Sequence, residues 1–271
     1  MKQNIVLLLI LFLAANTFAQ SISKNDIPAV VINSFQLKYP NADDVKWKKK
    51  NSNYLVDFKV NSKLNNLILD FKGNVLKHSQ DLYVSEVPEA VQEAIRNKLA
   101  YFDMHDADRY EEGGKITYEI RFKKDGKNNY FWTDEKGTLL KYRRELNNDE
   151  IPLAIVNLIT NKYGEFDIDR SKYVEENGKN IYIIRGTIHD RDHVFNVDDK
   201  VKLISHYKDL QNDEIPDPVL KAIAEFYKGF SIRDADLVED GNRTFYILNL
   251  RKANEQFYVR FNENGKILEV K

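Results

Sequence analysis

Histidine and aspartate are the first residues to weigh for chemistry. The chain holds five histidines, and their only local cluster is His189-Asp190-Arg191-Asp192-His193. Two imidazoles flanking a short turn could share a metal ion, although a closed zinc site normally wants four ligands. The positions that look equivalent elsewhere, Asn61 and Asn65, Lys123 and Lys127, Arg251 and Glu255, are merely polar, which also fits a solvated turn. Asp103, Asp106 and Asp108 could offer oxygen ligands to calcium, but the glycine and distal glutamate of a complete calcium loop do not follow them. Aspartates in a helix-to-strand connection have a simpler use, since their side chains satisfy turn amides. The sequence contains no G-x-S-x-G elbow, no H-E-x-x-H helix, no cysteine nucleophile and no phosphate-cradling glycine loop. The reading is therefore non-catalytic, with no cofactor.

A second signal is aromatic. If Phe131 points to a core, as Leu67, Phe195 and Val259 would in matching strands, then Tyr130 and Trp132 point the other way, near Arg121 and Arg143. Tyrosine, tryptophan and arginine are the residues enriched at binding hot spots. With Tyr258 they form a candidate partner-binding set. The same side chains could instead pack between neighbouring repeats, and composition alone does not separate the two uses.

The elements that would position these residues come from a repeat. Tyr54, Tyr118, Tyr182 and Tyr246 are each 64 residues apart, which marks copies of one supersecondary unit. Each copy opens with an acidic residue and an Ile-Pro or Val-Pro pair, at 26–28, 86–88, 150–152 and 214–216, read as a helix start with proline in the first turn and a carboxylate at the positive end of the dipole. Apolar residues then recur every four positions, as in Val87, Val91, Ile95 and Leu99, giving one buried stripe. An acidic loop follows (Asn41 to Asp44, Asp103 to Asp108, Asp167 to Asp169, Asp234 to Asp236), and the period then changes to two.

Four strands per copy are expected, in the second copy near 109–112, 116–122, 128–133 and 138–143. Glycines at the turns supply the positive φ that hairpins need; the third copy lacks one, having Asp199-Lys200 where Lys136-Gly137 stands in the second. Alternation puts Tyr118, Ile120 and Phe122 on one face and Thr117, Glu119 and Arg121 on the other. This describes an antiparallel sheet covered by helices on one side and open on the other. Short polar joints without linker composition would hold consecutive sheets in a fixed relation.

The ends and the composition restrict the setting. Lys2, the apolar run Ile5 to Ala15 and Thr17-Phe18-Ala19 read as a secretory signal peptide cut near Ala19, so a periplasmic or secreted protein is expected, without a membrane span. Absence of cysteine excludes disulfides, thiolate metal sites and an acylated anchor. Export would remove Lys2 and leave 40 basic against 42 acidic side chains, a balance that disfavours nucleic acid.

The opening Glu150-Ile151-Pro152, the strand Tyr182 to Ile188, and the terminal hairpins Asp70 to Lys77 and Phe261 to Glu269 resemble the PepSY-like domains of exported bacterial proteins, related in fold to the beta-lactamase inhibitor protein. The resemblance extends over 20–84, 85–147, 148–211 and 212–271, with 1–19 as the signal. It implies an α+β fold: four tandem helix-plus-four-stranded antiparallel repeats, with helices on one face and the other face free to grip a protein. The disulfides of the inhibitor are missing, and no stretch matches its enzyme-inserting loop. The expected partner is another exported or envelope protein, with a small ligand or calcium as the alternative; a self-assembling structural repeat is compatible with the same pattern.

Overall fold

The structure, a computed structural model, describes residues 20–99 and 102–271; the signal-peptide reading lies outside the described residues. The chain divides into two compact units, Met1–Gln80 and Asp81–Lys271. The first holds one copy: β1 (Gln20–Ser21), α1 (Ala29–Lys38), β2 (Asp43–Lys50), β3 (Asn53–Val60), β4 (Lys63–Leu69) and β5 (Val75–Leu82), whose last two residues enter the second unit. Consecutive strands pair antiparallel.

The second unit holds three copies. These are α2 (Glu89–Lys98) with β6 (Asp103–Glu112), β7 (Lys115–Lys124), β8 (Lys127–Asp134) and β9 (Leu139–Leu146); α3 (Leu153–Tyr163) with β10 (Asp167–Glu176), β11 (Lys179–Ile188), β12 (Arg191–Asp198) and β13 (Leu203–Asp209); and α4 (Asp217–Phe226) with β14 (Ser231–Asp240), β15 (Arg243–Lys252), β16 (Glu255–Asn262) and β17 (Ile267–Val270). The last strand of one copy pairs antiparallel with the first of the next, β9 with β10 and β13 with β14, so this unit is one continuous meander. Among the described residues no helix is long and apolar enough to cross a membrane.

The helix stripes do what their spacing requires. Val87, Val91, Ile95 and Leu99 are buried with Tyr118, Ile120, Phe122 and Phe131 in one cluster, and the other helices meet the same strand positions of their own copies, except that Gly186 stands where Phe122 would be and Phe166 fills the space. Three of the four marker tyrosines are buried, while Tyr182 is half-buried against its core. Within each unit the helices lie on one face of the sheet, and the other face is open.

Three local expectations are corrected. The α-helices start immediately after the Ile-Pro or Val-Pro pair and not with it, because a short 3-10 turn comes first and each proline caps the helix with extended ψ, between 127° and 141°. The acidic residues accordingly close the 3-10 turn and not an α-helix: Glu86, Glu150 and Glu214 accept the backbone N–H of Tyr83, Asn147 and Gln211 at 2.8, 2.7 and 2.8 Å, half of a capping box. The stretches read as acidic loops are strand for most of their length. Each first strand carries a bulge there, between Asp43 and Lys46, Met104 and Asp106, Ile168 and Arg170, Ile232 and Asp234. Aspartates suit a strand whose outer face meets water, and the bulge absorbs the odd residue.

The last hairpin of every copy is closed by one carboxylate or amide. Oδ1 of Asp70, Asp134, Asp198 and Asn262 accepts the amides two and four residues on, at 2.8–3.1 Å. The next requirement is a positive φ, supplied by Gly73, Gly137 and Gly265; in the third copy Val201 adopts φ 62°, an unfavourable region for a β-branched residue. A Cβ on Gly137 would come within 2.3 Å of the Ala90 carbonyl oxygen on α2. Gly137→Ala is therefore expected to destabilise by about 2 kcal/mol or more in urea titrations, from backbone strain plus the clash. Gly178→Ala, at φ 69° with nothing near its Cβ, should cost about 1 kcal/mol; equal losses would contradict this packing.

Candidate functional site

The period-2 alternation of β7, β8 and β9 decides which side chains share the open face. Phe131 is buried against the helix side at 1% exposure, so its neighbours Tyr130 and Trp132 emerge opposite. Register places Arg121, Tyr130 and Arg143 in one row and Glu119, Trp132 and Lys141 in the next. The two rings stack at 5.9 Å and 12°. The Arg143 guanidinium lies 3.9 Å from the Tyr130 centroid and 5.5 Å from that of Trp132, while the Lys141 ammonium is 5.6 Å from Trp132. Such contacts hold a cation over a ring face without neutralising it. Trp132 Nε1 donates to Glu119 Oε2 at 3.1 Å, which fixes the indole edge.

Four of the expected residues thus sit on one face, but Arg121 has a different task. It bridges Asp106 at 2.8 Å and Asp108. Burial pushes the Asp108 carboxyl up to about 6 against the pull of Arg121, with Asp81 adding to the rise. Tyr258 is not part of the cluster. It lies on β16, opposite Asn249, with its hydroxyl accepting from Gln256 at 3.0 Å, eight strands along the meander from Tyr130. Lys141 and Glu119 were missed; counting residues across the hairpins opposite Trp132 would have found both.

The metal-ligand candidates do not converge. Asp106 and Asp108 are tied to Arg121, Asp103 pairs with Lys123 beyond the bulge, and no group of three metal-capable side chains gathers among the described residues. His189 stands exposed in a turn at φ 48°, whereas His193 is buried on the helix side. The true counterparts of His189 and His193 are Asn61 and Asn65, Asp125 and Asn129, Ala253 and Phe257; two of the three pairs compared in the sequence were out by two residues, because the turns sit at 61–62, 125–126, 189–190 and 253–254.

His193 belongs to a buried polar pair that each of the first three copies builds across the last hairpin. The members are Asn65 with His78 at 3.0 Å, Asn129 with Tyr142 at 2.8 Å, and His193 with His206 at 2.8 Å. His206 Nδ1 reaches Glu239 Oε2 at 2.6 Å, and Tyr163 donates to the same oxygen at 2.6 Å. With Glu239 ionised, His206 donates to it and accepts from His193. Burial, then His206, depresses the His193 imidazole to about 4; burial also depresses His206, outweighing Glu239.

Comparison with known proteins gives the family. The family described as beta-lactamase-inhibitor-like, PepSY-like matches residues 16–77, 74–141 and 194–269, and the chain belongs to it. Among solved structures, a BLIP-like protein from Bacteroides fragilis is 21% identical over 46% of this chain and 92% of its own, with a TM-score of 0.37. A DUF2874 family protein from Bacteroides ovatus is 21% identical over 44% and 87%, with a TM-score of 0.37. A third, described as a calcium-regulated periplasmic protein from Bacteroides thetaiotaomicron, is 19% identical over 46% and 94%, with a TM-score of 0.28. No curated protein matches the chain.

Both imidazoles bind protons less readily folded than unfolded. Their contribution to stability is complete above the unfolded value near 6.5 and is lost as the pH falls toward about 4. His193→Asn with His206→Tyr, which installs the pair of the second copy, should keep the melting temperature at pH 7.5 and flatten its decline between pH 6.5 and 4. A decline as steep as in the parent chain would contradict this assignment.

Proposed function

We propose that the chain is an exported, non-catalytic binding protein that presents the open sheet face around Tyr130, Trp132 and Arg143 to another envelope polypeptide. The observation that carries this reading is the stacked Tyr130–Trp132 pair with a guanidinium over it, on a face that no helix of its unit covers. Large rigid rings beside arginine give much contact area for little ordering entropy, which is why such residues dominate the energetics of interfaces. A helix-covered opposite face gives the strands the rigidity that a binding surface needs. Family membership supports a non-catalytic role, and the signal-like leader supports an exported one.

The test is capture from an envelope extract, read by mass spectrometry, with the parent chain, Trp132→Ala and Leu153→Ala as baits; Leu153 is exposed on α3. Trp132→Ala should melt cooperatively yet retain at least ten times less of the specific partner, as truncation of a hot-spot anchor costs about 2 kcal/mol or more. Leu153→Ala should retain it fully. Equal retention by all three baits would contradict the proposal.

A further inference from the structure

The open face of β9, β10 and β11 carries a row of cations that make no direct ion pair among the described residues. Register sets Arg143 beside Val174 and Ile181, Glu145 beside Lys172 and Ile183, and Arg170 beside Arg185. Val174 and Ile181 are 7% and 8% exposed although they face away from the helices, so they form an apolar floor beneath longer side chains. Arg143, Arg170, Lys172 and Arg185 surround that floor. None has a carboxylate within 4.0 Å among the described residues, whereas the neighbouring Lys141 and Arg144 are paired with Glu176 and Glu150. Glu145, the acidic group facing Lys172, is instead within 3.2 Å of the Asn128 amide.

The equivalent positions in other copies show what is missing. In the first copy Lys48 meets Asp57 at 2.7 Å, and in the second the signs are exchanged, Asp108 meeting Arg121. In the third the same two positions are Lys172 and Arg185. Two like charges replace an ion pair, which is unfavourable on adjacent strands unless an anion intervenes. Burial, then Arg143 and Arg170, holds the Lys172 ammonium below the usual lysine range against the opposing pull of Glu145, with Arg185 adding to the depression.

We propose that this row recognises an acidic polypeptide segment of the partner, an inference that rests on the binding role above and specifies the partner's chemistry. Three adjacent strands about 4.8 Å apart spread the cations over roughly 10 Å, too far for one small anion to meet them all. In an extended chain, carboxylates two residues apart lie about 6.6 Å from each other on one side. They can engage Arg143 with Lys172, or Lys172 with Arg185, together. An apolar side chain two residues beyond them, on the same side of the extended segment, can rest on Val174 and Ile181, continuing the contact begun at Tyr130 and Trp132.

The experiment is fluorescence anisotropy with the full mature chain and the labelled peptide Gly-Glu-Leu-Glu-Leu-Glu-Gly, its glutamine counterpart, and inorganic phosphate and polyphosphate as competitors. The acidic peptide should bind, weaken steeply with salt, and lose at least tenfold in affinity in Lys172→Gln/Arg185→Gln. That variant should melt no lower than the parent, since it relieves repulsion. Equal binding of the glutamine peptide, no effect of the double variant, polyphosphate binding more tightly than the peptide, or salt-sensitive dimerisation of the chain through this row would each overturn the inference. If the captured envelope partner is lost in Trp132→Ala but kept in Lys172→Gln/Arg185→Gln, the binding role stands and the acidic specificity falls. If the acidic peptide binds through the row while Trp132→Ala captures normally, the reverse holds.

Discussion

One constraint governs each copy: a ten- or eleven-residue helix with an apolar residue at every fourth position has only one face to bury. It can cover only one side of a four-stranded sheet. Strands that alternate apolar and polar residues supply the matching surface, and a slip of one residue would turn every apolar group outward. Everything else is a consequence, including the uncovered side, which must be filled with side chains that tolerate water and so is free to vary from copy to copy.

Within the second unit the copies are not beads. Strand pairing carries the sheet from one copy to the next, and the helix ends are tied across the junctions: Lys98 to Glu175 at 2.6 Å, Lys162 to Glu239 at 3.2 Å, and Tyr163 to Glu239. Tyr173 packs between Tyr142 and Tyr182, joining two cores. A stack of this kind gains stability from nearest-neighbour contacts that no single short repeat could supply. It also gives the open face of several copies one fixed geometry, so that aromatic residues of the second copy and cations of the third lie side by side.

The repeat, the buried stripe, the tight glycine turns and the facing of Tyr130 and Trp132 were legible because each depends on spacing or alternation, which a linear sequence records directly. The capping role of Glu150 was not legible, because a 3-10 turn followed by an extended Ile-Pro pair has the same local composition as a helix start. Asp103 to Asp108 read as a loop because aspartate disfavours strands in general, and the cross-strand partner Arg121, which holds Asp106 and Asp108, is visible only in the fold. His193 was misjudged for a similar reason: its partner His206 stands on the next strand and Glu239 on the first strand of the following copy, and a turn position misread by two residues hid the buried pair. The unpaired cations were invisible in the same way, since Lys172 and Arg185 become neighbours only once the register is known.

The central claim is that the face opposite the helices is bare in the free chain and is the surface a partner covers. The chain has two tryptophans; Trp47 is buried against Phe35 and Trp132 stands on the open face. Acrylamide quenching of the Trp47→Phe variant therefore reports Trp132 alone. Efficient quenching in the isolated chain that falls sharply when the captured partner is bound is the predicted result. Shielding of Trp132 in the isolated chain, or quenching that the partner leaves unchanged, would contradict the account.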